Sequence, residues 1–177
     1  MLLKSTELEQ ALFVYFEREK IGALVLGTLG VTSVVAAVIC WRRGGALSGA
    51  ALPLAVLGAI ESIVGAVVGF RTDGQVRKLL AALETDAAGA IGTELSRMER
   101  VLESFGRLKI AELSLFVIGL AGALLLKRHA RWRAAAAAVA AQAILTFGFD
   151  IVAASRAEVY VTALRQAQTT LGTPAQK

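Results

Sequence analysis

Three carboxylates stand in stretches of sequence that offer them no other charge. Glu61, Glu112 and Asp150 are the sole ionisable side chains in the runs 44–70, 110–126 and 134–155. Carboxylates so placed could exchange a proton, hold a cation, or pair with bases to fix helix register. An ionisable group within hydrocarbon is expensive, and by default it marks a functional or a paired site. Six basic residues, Arg18, Lys20, Arg71, Arg107, Lys109 and Arg156, border these runs on one side. They form a cationic tier just above the acids. Buried charges are tolerated when paired and hydrogen-bonded, so the first expectation is a structural acid–base tier. A proton or cation site is the second.

Other chemistries find little support. His129 lies within Lys127-Arg128-His129-Ala130-Arg131, a solvated loop facing anionic headgroups rather than a metal site. No histidine falls within an apolar run, so no axial haem ligand is available. Cys40 is the only cysteine, which excludes an internal disulfide and a Cys-x-x-Cys redox pair. Gly22, Gly27 and Gly30 sit inside an apolar run with no strand before them, so they read as helix contacts and not as a phosphate loop. No Ser-His-Asp or Cys-His set can be assembled around one histidine. The expectation is a protein with no catalytic residues, no metal and no cofactor, and no enzyme activity.

The elements that must position the acids follow from hydropathy. Of 177 residues, 56% are hydrophobic and 19% charged, against about 45–50% and about 25% in soluble domains. The excess is concentrated in four runs, the fourth being the charge-free stretch between Lys20 and Arg42. A bilayer core needs about 20 apolar residues of helix. Barrel strands would alternate, and these runs do not. The fold class is therefore all-α: a polytopic membrane protein with four long transmembrane helices. The helical stripes continue beyond the runs, through Leu8, Leu12 and Tyr15, through Val76, Leu79 and Leu83, through Met98, Leu102 and Phe105, and through Tyr160, Leu164 and Ala167. Thr6 and Glu9 have capping-box spacing, and Leu171-Gly172-Thr173-Pro174 reads as a helix stop. Each helix is then about 50–58 Å long, and the four-helix bundle extends about 20 Å beyond the bilayer. With inner ends at Gly44, Leu126 and Ala134, the acids lie about 25, 21 and 24 Å along their helices. That places them in one layer.

The chain divides into a hairpin over 6–84, a turn over 85–92 and a hairpin over 93–171, within a single domain. The hairpins share motifs. Phe16-Glu17-Arg18-Glu19-Lys20-Ile21 resembles Phe105-Gly106-Arg107-Leu108-Lys109-Ile110, Ser62-Ile63-Val64 resembles Asp150-Ile151-Val152, and Thr6-Glu7-Leu8 resembles Thr93-Glu94-Leu95. Offsets of 87 to 89 positions indicate an internal duplication.

Orientation comes from the basic loops. Arg42 and Arg43 follow the first run, and Lys127, Arg128, Arg131 and Arg133 follow the third, with no acid among them. Short loops rich in Lys and Arg stay cytoplasmic, and Trp41 and Trp132 mark that boundary. Both termini are expected in the periplasm of a bacterial inner membrane. The net charge of +5 is accounted for by these loops and implies no nucleic acid. In broad architecture the chain resembles the small polytopic immunity proteins that protect bacteria against membrane-targeting toxins. That resemblance implies a non-enzymatic role: binding a partner protein at the outer face or within the membrane and neutralising it. The alternative is a proton- or cation-coupled channel or transporter that uses Glu61, Glu112 and Asp150 and works as a homo-oligomer.

Overall fold

The computed structural model describes the backbone over residues 2–172 and the side chains over residues 7–171. Four helices account for nearly all of it: α1 (Leu2–Arg43), α2 (Ser48–Thr85), α3 (Ala87–Leu125) and α4 (Ala130–Gly172). They contain 42, 38, 39 and 43 residues, or about 57–65 Å each at 1.5 Å per residue. Every one is long and apolar enough to cross a membrane. α1 begins at Leu2, ahead of the Thr6–Glu9 spacing, so that pair does not start the helix. The side chain of Thr6 lies outside the described residues, as do Thr173 and Pro174 of the expected stop.

The links are short. α1 is followed by Gly44 and Gly45, whose φ angles of +66° and +59° suit a residue without a Cβ. The turn expected over 85–92 needs correction, because α2 and α3 are joined by Asp86 alone. The Asp86 N–H donates to the Ala82 carbonyl at 2.9 Å, closing α2. Its carboxylate accepts from the Gly89 N–H at 3.0 Å, capping α3. Small residues after Asp86 resemble a turn by composition, but the cap and the burial of Ala90 and Ile91 make them the first turns of α3.

α1 runs along α2 and α3 along α4, as antiparallel hairpins. The hairpins meet chiefly through α2 and α4, while among the described residues α1 and α3 make no close backbone approach. Two kinds of packing divide the molecule along its length. At the end that carries Asp86, large side chains fill the centre: Leu12, Phe16, Met98, Tyr160 and Leu164 are almost wholly buried. Tyr15 stacks on Tyr160 at 4.6 Å, and Phe16 meets both rings edge-on. Toward the Trp41 and Trp132 end the order reverses. Ala37, Ala51, Gly58, Gly65 and Ala140 face inward, while Leu24, Phe70, Ile110 and Leu125 are 70% exposed or more. Small residues inside and large apolar ones outside suit helices that pack in lipid, where a Leu gains nothing by leaving the hydrocarbon.

Candidate functional site

The inward-facing seam of the apolar half depends on backbone proximity. A Cβ on Gly30 would stand 2.5 Å from the Gly58 carbonyl oxygen and from the Ser62 nitrogen. One on Gly65 would stand 2.6 Å from the Ala23 carbonyl. α1 and α2 thus touch along a glycine track that admits no side chain. In the second hairpin Gly119 lies equally close to Ala136 and Ala140. These seams set the depth at which polar residues from different helices face one another.

Glu61 is 6% exposed at this depth and accepts two hydrogen bonds from the Gln142 amide nitrogen, at 2.7 and 2.6 Å. The Gln142 carbonyl in turn accepts from the Ser33 hydroxyl at 3.2 Å. One residue from each of α2, α4 and α1 therefore makes a closed polar chain inside an apolar interior. Hydrogen bonding is what makes such burial tolerable. Glu112 and Asp150 face the interior nearby, close enough to interact electrostatically with one another and, for Glu112, more weakly with Glu61. Glu112 Oε2 is buried beside the Thr146 hydroxyl without completing a hydrogen bond to it. The acids are staggered rather than level. Glu61 is tied to Gln142, which precedes Asp150 by eight positions, about 12 Å along α4.

The basic tier makes other attachments. Lys20 pairs with Asp73 at 2.9 Å and Arg107 with Glu103 at 3.8 Å, both pairs exposed. Arg156 donates to the carbonyls of Arg18 at 2.7 Å and Val152 at 3.0 Å. Lys109 alone lies within electrostatic reach of Asp150. Among the described residues no Lys or Arg forms an ion pair with Glu61, Glu112 or Asp150. The expected acid–base tier is thus replaced by neutral partners around Glu61. For Glu61 the reason is geometric: the first cation on its own helix, Arg71, lies ten residues or about 15 Å away toward the Asp86 end, beyond direct reach.

Sequence reading missed Ser33 and Gln142, and it also missed a half-buried pair nearer the Asp86 end. Arg97 donates to both oxygens of Glu94 at 2.7 Å and lies over the Phe16 ring, 5.8 Å from its centroid. Gln142 did carry a signal, as the only amide in the alanine-rich run of α4. Two of the hollows between the helices bear on these groups. One of about 180 Å³ lies where the two kinds of packing meet, with Asp150 and Arg156 in its wall. The other, about 380 Å³, lies between α2 and α3 near Asp86. No group of three or more His, Cys, Asp and Glu among the described residues could hold a metal ion. His129 is exposed in the loop after α3, and Cys40 is half-buried and free.

No protein family model, no curated protein and no solved structure matches this chain.

Proposed function

We propose that this is a non-enzymatic multi-pass protein of a bacterial inner membrane that acts by binding a partner protein. Its candidate role is that of an immunity protein neutralising a membrane-targeting toxin. The reading is supported most by the hollow between α2 and α3. Of the helix pairs that touch, these two do so least. Their groove is lined by Leu79, Ala82, Ala90 and Thr93, flanked by Lys78 and Glu94. The Gln75 carbonyl oxygen in its wall is buried with no hydrogen-bond partner. An apolar floor with spare hydrogen-bonding capacity is what an amphipathic segment of a partner requires. On this reading the basic loops are cytoplasmic and this end lies in the periplasm with both termini, and its large-residue core suits a four-helix bundle that stands beyond the bilayer. An incoming toxin would meet it there before inserting.

The test is survival of cells that express the protein when challenged with a panel of membrane-targeting bacterial toxins. Leu79→Lys and Ala82→Glu should abolish protection, whereas alanine at Glu61, Glu112 and Asp150 together should leave protection intact if the protein folds. The reverse pattern, in a folded protein, would end this proposal.

The closeness of Glu112 to Asp150 favours a second reading, an oligomeric proton- or cation-coupled channel or transporter. Proteoliposomes should then show pH-dependent flux that Glu61→Gln or Asp150→Asn removes, and no flux under any gradient would dismiss it.

The internal duplication remains part of the proposal. Both inner loops contain four residues, 44–47 and 126–129, and Gly30 and Gly119, 89 positions apart, both lie on seams. The pairing register has diverged, since Gly119 faces Ala136 and Ala140 and not Thr146, the counterpart of Gly58.

A further inference from the structure

The smaller hollow is built differently from the groove used above, and it carries an inference that does not depend on the partner-protein reading. All four helices contribute to it. Leu26, Val64, Val68, Leu108 and Phe149 make an apolar wall, and Arg18, Arg71 and Arg156 belong to the same lining. The Arg156 guanidinium is fixed by two backbone carbonyls. Arg18 and Arg71 have no ion-pair or side-chain hydrogen-bond partner among the described residues. Two acids share the wall. Glu19 accepts from Thr72 at 3.0 Å and from Tyr15 at 3.5 Å, and Asp150 lies near Lys109. Three cations against two acids leave the hollow itself net positive.

We infer that this hollow binds an anionic amphiphile, with a phosphate held by Arg18, Arg71 and Arg156 and the first part of an acyl chain against the apolar wall. Depth supports this. Arg71 and Arg156 are the first charges beyond the apolar runs of α2 and α4, and Arg18 lies two residues past Lys20, the first on α1, near the level at which a bilayer carries its phosphates. Chemistry supports it too, because guanidinium forks match phosphate oxygens better than any other side chain does. At about 30 Å³ per water-sized group, the hollow holds a headgroup and a few methylenes. The rest of the chain must run along the outward apolar surface. A free phosphate would leave the wall idle, and a zwitterionic lipid would bring its own ammonium group up against Arg18 and Arg71.

The test uses the whole purified protein in neutral detergent, with native mass spectrometry as the readout. The probes are dioleoyl phosphatidylglycerol, dioleoyl phosphatidylcholine and inorganic phosphate. The protein should retain one phosphatidylglycerol in preference to phosphatidylcholine by roughly tenfold, the effect of one charge-assisted contact. Arg18→Gln with Arg71→Gln should remove the preference. Ala153→Leu, which fills the hollow without altering charge, should lower retention of both lipids. Arg107→Gln is the control, since Arg107 is 72% exposed and paired with Glu103 on its own helix. Equal retention of the two lipids overturns the inference. So does an Arg107→Gln loss as large as that of the double variant, or displacement of phosphatidylglycerol by inorganic phosphate at equal concentration.

Discussion

At the scale of single residues, the informative object is the chain Ser33–Gln142–Glu61. Its members come from positions as much as 109 apart, and each is satisfied by the next. Removing one end of such a chain costs more than removing both, because a buried polar group is left without a partner. Gln142→Leu should therefore lower stability by about 1–2 kcal/mol, read from unfolding in detergent. Glu61→Leu combined with Gln142→Leu should recover most of that loss. An additive double variant would show that the hydrogen bonds of 2.6 and 2.7 Å do not couple the two sites. Glu61 itself was legible in the sequence, since a lone carboxylate in an apolar run stands out. Its partners were not. Ser and Gln are neutral, common and unremarkable by composition, and only the approach of α4 to the α1–α2 seam reveals that they meet.

At the scale of elements, long apolar runs made the four helices readable, but not their contacts. Gly58 and Gly74 look alike in sequence and differ entirely in surroundings. A Cβ at Gly58 would lie 2.6 Å from the Gly30 carbonyl, whereas one at Gly74 or Gly106 meets open space. Gly58→Val should separate α1 from α2 and lower the melting temperature, by far more than helix propensity alone explains. Gly74→Ala and Gly106→Ala should raise stability by about 0.5–1 kcal/mol each, the helix-propensity gain. A melting temperature unmoved by Gly58→Val would show that the glycine track is not a packing constraint. The region after Asp86 was misread for a related reason. Gly89 and Gly92 weaken helix propensity, yet a single aspartate closes one helix and opens the next. Composition records residue types and not the angle at which a chain re-enters a core.

At the scale of the whole molecule, the change from large residues inside to small residues inside divides the protein along its axis. The sequence contained this division, because every residue involved was present in the helical stripes. It became visible only once the burial of Tyr160 could be set against the exposure of Phe70, 88%. Orientation across the bilayer is checked by cysteine labelling in a Cys40→Ala background. Ala88 is the better outer site, because at neighbouring Gly89 a Cβ would strike the Asp86 carboxylate that caps α3. Ala88→Cys should react with a reagent confined to the exterior, and His129→Cys should not. Both positions are exposed, so the opposite result would invert the topology and move the α2–α3 groove to the cytoplasm.

The single-residue joint at Asp86 bears on that groove. Its two walls share a hinge with no slack, so they cannot spread at the tip to admit a bulkier guest. A visitor must fit a slot of preset width, and little ordering entropy is lost when it arrives. Selectivity would then rest on the shape of the guest, and lengthening the joint with a few glycines should blunt it before it weakens the fold.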